Sequence, residues 1–234
     1  SQDMTVYVED IPSNEVENWA KIEADRFRNP VIRGFHTELE TIYEEKNMSL
    51  TQDSRKMWEA LDAALFPHHP YGTQTVLGTQ EHLKNPSITN VRNYHKTYYV
   101  PNNMAVCVSG DFDPDQMIAT IDKYFGDMQP NENIPQLAFE PEAPITKPIV
   151  KEVYGPDAAN VTLAWRTDNA ASDDAEYLLL ASRILYNGQA GMIDLDLMQQ
   201  QKVLDAFSYP DQRADYGALV LQGLPKAGQT LDEV

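Results

Sequence analysis

The sequence holds one cysteine, Cys107, in 234 residues. A single thiol excludes an internal disulfide framework and any paired-cysteine metal or redox motif. Its neighbours Met104, Ala105, Val106 and Val108 are apolar, so it reads as a packed strand thiol and not a nucleophile. Basic residues are also scarce. Lys and Arg number 18 against 36 Asp and Glu, a net charge of −18. A phosphate backbone would be repelled, which excludes nucleic acid as a partner. The acidic residues are spread along the chain and read as a solvated, mutually repelling surface, which would also draw basic substrates. No run of about 18 apolar residues exists, so nothing here spans a bilayer. Ser1-Gln2-Asp3-Met4 lacks the basic start and apolar run of a signal peptide. There is no GxGxxG or phosphate-cradling loop, no His-x-x-x-His, and no His-x-x-Glu-His in either direction.

Apolar residues make up 42% of the chain and charged residues 23%, ordinary globular usage for a length that can bury a core without staples. Thr5 to Val8 alternates like a strand. Ser13 is placed to cap a first helix through Val16, Trp19, Ile22 and Phe27, ended by Asn29-Pro30. A second helix is expected over about Val31–Met48 and a third over about Thr51–Leu65, stopped at the loop Phe66–Gly72. Two shorter helices follow, one near Thr79–Lys84 and one capped by Ser87 and running to about Tyr98. Met104–Ser109 reads as a strand. Asp113-Pro114 opens a helix with Met117, Ile118, Ile121 and Phe125 inward and Gly126 at its end.

Residues 129–148 carry five prolines and no helical period, the mark of a semi-rigid linker. Beyond it, Ile149–Val153 and Val161–Trp165 read as strands. Ser172 starts a helix stopped by Asn187-Gly188, and Met192–Gln201 reads as a short helix. Val203–Tyr209 and Tyr216–Leu221 read as paired strands. Strands in pairs interrupted by helices indicate an α+β class. The abrupt strand at Thr5 and the helix start at Thr230–Val234 read as the ends of an excised piece.

The second helix carries a carboxylate cluster: Glu38, Glu40, Glu44 and Glu45. At about 100° per residue, Phe35, Leu39 and Ile42 form one apolar stripe. Glu38 and Glu45 fall about 20° apart on one edge of that stripe, while Glu40 and Glu44 point away. A carboxylate at a core boundary requires a partner, a hydrogen bond or a metal. Salt bridging or plain solvation is the alternative reading of the same spacing. The histidines His36, His68, His69, His82 and His95 make no metal-ligand spacing and read as surface or packing groups.

Glu38-Leu-Glu-Thr-Ile-Tyr-Glu-Glu45 resembles the third-ligand helix of the insulinase/pitrilysin family, which includes the mitochondrial processing peptidase subunits. Other stretches agree in order and spacing: Asp3-Met-Thr-Val-Tyr-Val-Glu-Asp, Leu65-Phe-Pro-His-His-Pro-Tyr-Gly, Tyr98-Tyr-Val-Pro-Asn-Asn-Met, Ser109-Gly-Asp-Phe-Asp, Pro148-Ile-Val-Lys-Glu-Val-Tyr-Gly and Gly188-Gln-Ala-Gly-Met-Ile-Asp-Leu. The resemblance implies two related modules of antiparallel sheet covered by helices, of the processing-peptidase type and both incomplete. Their expected boundaries are 1–128 for the remainder of the first, 129–148 for the linker and 149–234 for the start of the second.

By the same resemblance, Glu45 is the third zinc ligand and Glu38 a supporting carboxylate, not the general base. The family's two zinc histidines and its base come from the inverted His-x-x-Glu-His motif, which would precede Ser1. With that motif, Zn²⁺ holds and activates a water that attacks the peptide carbonyl. The parent is then a zinc metalloendopeptidase acting on peptides or unfolded proteins, and this stretch alone is inactive and binds no zinc tightly. The alternative is a non-catalytic subunit that binds peptides or assembles with an active paralogue or a second copy. The expected compartment is the bacterial periplasm or cytoplasm.

Overall fold

The computed structural model describes all 234 residues. They form two compact units interleaved along the chain. One comprises residues 1–4, 49–76 and 140–234, the other residues 5–48 and 77–139.

The first of these units holds the sheet. Strands β1 (Val161–Thr167), β2 (Asp205–Gln212) and β3 (Gly217–Leu224) are antiparallel in the order β1-β3-β2. The register sets Ala164 and Tyr209 on either side of Val220, and Leu163 and Ser208 on either side of Leu221. Because side chains alternate along a strand, these two rows lie on opposite faces. The Val220 row meets helix α3 (Asp53–Leu65): Leu65, Phe66, Tyr71, Ala218 and Val220 are buried together, with Trp58 and Leu61 against them. The Ser208 row meets helix α8 (Asp173–Leu185), where the Ser182 and Ser208 hydroxyls lie 3.4 Å apart. Ile193, Val203 and Ala206 form a smaller cluster beside it. Between α8 and β2 the chain makes a π-helical turn at Asp194–Met198, within the short helix expected there.

The chain leaves α3 through Phe66, which is fully buried, and turns into the short helix α4 (Pro70–Thr73). This turn is tight at Gly72: a Cβ there would stand 2.2 Å from the Phe66 carbonyl oxygen, so only glycine fits. Arg213, from the β2–β3 turn, donates to Asp62 of α3 at 2.7 Å and to Asp211 at 2.7 Å, with its guanidinium over the Phe66 and Tyr71 rings.

The second unit is helical: α1 (Val16–Arg28), α2 (Phe35–Ser49), α5 (Gln80–Lys84), α6 (Ile88–Tyr98) and α7 (Pro114–Phe125). Ala20 and Ala24 are buried on α1, and small side chains there allow close approach to α7. Glu17 accepts from Tyr124 Oη at 2.8 Å and pairs with Lys123, while Arg28 donates to the Tyr124 carbonyl. The caps expected at Ser87 and Asp113 are present, and Thr79, expected inside a helix, is a third. Thr79, Ser87 and Asp113 accept from the amides of His82, Asn90 and Gln116.

Several expectations are corrected. Ser13 lies in a 3-10 turn and caps nothing, because the helix proper starts at Val16. The second helix begins at Phe35 and not near Val31, since Gly34 takes a left-handed φ of +65°. Ile118 is exposed, and only Met117 of its set is fully buried. The loop expected at Phe66–Gly72 contains α4. The segments at 5–8, 104–109 and 149–153 are not strands, and no sheet forms within residues 1–128. Alternation prepares a strand, but a strand exists only where a neighbour takes its backbone hydrogen bonds. Cys107, on one of these unpaired segments, is accordingly exposed and not packed.

Arg213 and Asp62 are both largely buried. Replacing Arg213 by Met leaves Asp62 uncompensated and is expected to cost about 3–5 kcal/mol of unfolding free energy in a urea titration. Adding Asp62→Asn to that variant should recover part of the loss.

Candidate functional site

Helix α2 carries the sequence-designated pair. Phe35, Leu39, Ile42 and Tyr43 are half-buried along it, and Lys46 and Ser49 are buried. Glu38, Glu40, Glu44 and Glu45 are all exposed, so the buried edge of the helix belongs to Lys46 and Ser49 and not to the glutamates. Glu38 and Glu45 share one side of the helix, two turns and about 10 Å apart along its axis. Glu45 offers a hard oxygen donor suited to zinc. No group of three His, Cys, Asp or Glu side chains gathers anywhere in the chain to hold a metal ion. The residues present therefore do not themselves fit a complete zinc site.

The histidines do structural work. His36 is exposed, with its ring against Phe35. His82 takes part in the cap of α5, accepting from the Thr79 amide. His95 stacks on Tyr99 with ring centroids 4.6 Å apart, and burial lowers its pKa. His69 is fully buried. Its Nδ1 accepts from the Tyr71 amide at 3.1 Å, which places the ring proton on Nε2, 3.2 Å from Asp215 Oδ2.

Around His69 lies a polar cluster that the sequence did not reveal. Glu142, in the segment read as a linker, accepts from the His68 and His69 amides at 2.7 and 2.8 Å. Burial alone would raise its pKa, but those amides and the His68 ring hold it below the ordinary glutamate value. Tyr71 Oη donates to Asp3 at 2.5 Å and accepts from the Asp215 amide. Burial, then the Asp3 carboxylate, push that phenol upward and keep it a donor. Asp194 forms a second internal anchor. Its Oδ2 accepts from the amides of Asn187, Gly188 and Gly191 at 2.9–3.1 Å. Burial would raise this carboxyl too, and the loop amides hold it below the usual aspartate range. The local signal for this loop was Asn187-Gly188; the carboxylate that organises it lies several residues further on.

Two open clefts lie in the sheet-bearing unit. One, of about 650 Å³, is lined by Arg166, Asp168, Asp174, Tyr177, Leu178 and Tyr216 among others. The other, of about 290 Å³, is lined by His68, Glu142, Ile149 and Arg166 among others. Neither contains residues of α2.

Comparison with known proteins gives the class. The family description "Peptidase M16 inactive domain" matches residues 87–234, well over half of the chain. This chain belongs to the peptidase M16 family, the insulinase/pitrilysin group. It is 27% identical over 54% of its length to an uncharacterized zinc protease of Mycobacterium leprae, covering 28% of that protein. It is 26% identical over 56% of its length to the probable mitochondrial-processing peptidase subunit beta of Schizosaccharomyces pombe, covering 29% of that protein. A crystal structure of a protease from Helicobacter pylori superposes with a TM-score of 0.77 at 19% identity, over 92% of this chain and 54% of that one. The fold is thus the α+β fold of M16 peptidase domains, and the chain spans less than a third of the first two relatives. No helix is long and apolar enough to cross a membrane.

The two anchoring carboxylates give a pH dependence. A carboxyl held below its ordinary pKa stabilises the fold above that value and loses the contribution as pH falls through the folded pKa. Stability of the sheet-bearing unit should therefore decline progressively from about pH 4.5 downward. In Glu142→Gln the acid limb of the melting temperature against pH should be flatter than in the parent.

Proposed function

We propose that this chain is part of a zinc metalloendopeptidase that hydrolyses peptide bonds in peptides or unfolded proteins. On this reading Glu45 supplies one carboxylate oxygen to the metal, and the remaining ligands and the general base come from outside these 234 residues. Glu38 is a supporting carboxylate that orients Glu45 or its neighbours. The observation that supports this most directly is the exposed pair on one side of α2, neither member tied to any group of the chain, within a protein of the M16 family. Zinc, when bound, would supply a polarised, deprotonated water. What this chain contributes is a fixed helix that presents its carboxylates to solvent. The division into residues 1–128, 129–148 and 149–234 is retained as a proposal about ancestry, alongside the interleaved units.

A second reading starts from the family description of an inactive domain, which matches residues 87–234 and leaves α2 outside the match. On it, the protein binds peptides or assembles with an active paralogue, and α2 carries no metal.

Metal analysis of the whole gene product separates the two. With zinc bound, Glu45→Gln should remove the metal, while Glu38→Gln should keep more of it and lower peptidase activity about 10–100-fold. Glu40→Gln and Glu44→Gln should change neither. Zinc content unaffected by Glu45→Gln would remove α2 from the site. A purified protein with no zinc and no activity unless a paralogue is added would establish the second reading. Calorimetry on the 234-residue chain should show no tight zinc, because a lone carboxylate does not outcompete water.

A further inference from the structure

The sequence contains one Asn-Gly pair, Asn187-Gly188, and both residues are exposed in the loop after α8. Asparagine is among the thermolabile side chains. Before glycine it is most so, because the next amide can attack the side-chain carbonyl with no Cβ in the way. No atom lies within 4 Å of where a Cβ on Gly188 would stand, so nothing crowds the junction.

That attack closes a cyclic imide. The imide nitrogen is planar, so Asn187 Cγ must arrive where the Gly188 amide hydrogen now points. In the structure this direction is taken. The Gly188 amide donates to Asp194 Oδ2 at 3.1 Å, and the same oxygen holds the Asn187 and Gly191 amides at 3.0 and 2.9 Å. The side chain under attack is pinned as well. Asn187 Oδ1 accepts from the Gln189 and Ala190 amides at 3.0 and 2.9 Å, and Nδ2 donates to the Arg183 carbonyl at 3.1 Å. Asp194 is 6% exposed, so water competes little for its oxygens.

We propose that Asn187-Gly188 is a latent deamidation site guarded by Asp194. When the loop opens, the Gly188 nitrogen bonds to Asn187 Cγ and gives its proton to solvent. The Cγ–Nδ2 bond breaks, and Nδ2 takes up a proton and leaves as ammonia. Water then opens the imide at either carbonyl, giving aspartate or isoaspartate at 187. One water enters, one ammonia leaves, and no oxidant or cofactor takes part. The change does not reverse, and it opposes reclosure. Either product lacks the donor to Arg183 and adds a negative charge to a loop built around the Asp194 carboxylate. Isoaspartate also lengthens the backbone and shifts the Gly188 amide away from its acceptor. Leu185 and Tyr186, at the end of α8, pack on the Ile193–Val203–Ala206 cluster beside this loop, so that end of the helix loosens with it. None of this depends on the zinc reading.

Peptide mass spectrometry at mildly alkaline pH tests it, comparing the chain in native buffer, the chain unfolded in urea, and Asp194→Asn in native buffer. Conversion at Asn187 should be about tenfold or more slower in the native chain than in the unfolded one. Asp194→Asn should approach the unfolded rate while its β2–β3 amides stay protected from exchange. Native conversion as fast as in urea overturns the proposal, and so does a folded Asp194→Asn as slow as the parent. Where Asp194→Asn does not fold, the parent in sub-denaturing urea decides. Conversion there should rise together with exchange of the Gly188 and Gly191 amides. Conversion that follows only β2–β3 exchange removes Asp194 as the guard and overturns the proposal.

Discussion

Strand β3 is the one strand with a hydrogen-bonded neighbour on each side, and the sheet-bearing unit depends on that. Its Val220 is fully buried against α3, while the opposite face of the sheet meets α8 beside β2. Backbone amides need partners, and β3 satisfies the inner edges of β1 and β2 at once. The alternating runs without such a neighbour remain extended chain, whatever their side chains favour.

A second constraint is the placement of charge. With 36 acidic residues the chain has far more carboxylates than ion-pair partners. Those it buries are bound to specific donors. Glu142 is held by two amides, Asp194 by three, and Asp62 by the guanidinium of Arg213. Each ties together segments distant in sequence or closes a loop, so the interior carboxylates take the place of some of the apolar core. Glu142 in particular turns the end of a proline-punctuated stretch into a fixed part of the unit.

Much of the helical structure was legible because its determinants are local. Thr79, Ser87 and Asp113 cap within three residues of themselves, and a stripe repeats within four. Ser13 failed as a cap because a 3-10 turn intervenes, and Ile118 failed as a core residue because a helix face does not say how much of it a neighbour covers. The pairing of β2 with β3 was legible from two strand-like runs joined by a short turn. The unpaired runs were not, because pairing is decided by partners distant in the chain. The same limit hid Glu142 and Asp215, whose partners His68, His69 and Tyr71 lie far away in the chain. On α2 the shared side of Glu38 and Glu45 was legible from spacing, but their exposure was not.

The exposure of that pair is informative when set beside the buried carboxylates. An ionised glutamate in water carries no desolvation cost and needs no partner, so the fold gains nothing measurable by having Glu38 or Glu45 in particular. Glu142 and Asp194 can be explained entirely by the amides they satisfy. Glu38 and Glu45, like Glu40 and Glu44, are exposed and hold nothing within the chain that accounts for them. Their position on one side of a helix anchored by Lys46 and Ser49 leaves both free for a ligand or a partner group from elsewhere. A solvated face needs acidic residues in general, and Glu40 and Glu44 would meet that need equally well. Substitution at Glu45 compared with substitution at Glu44 therefore separates a specific role from a merely polar surface.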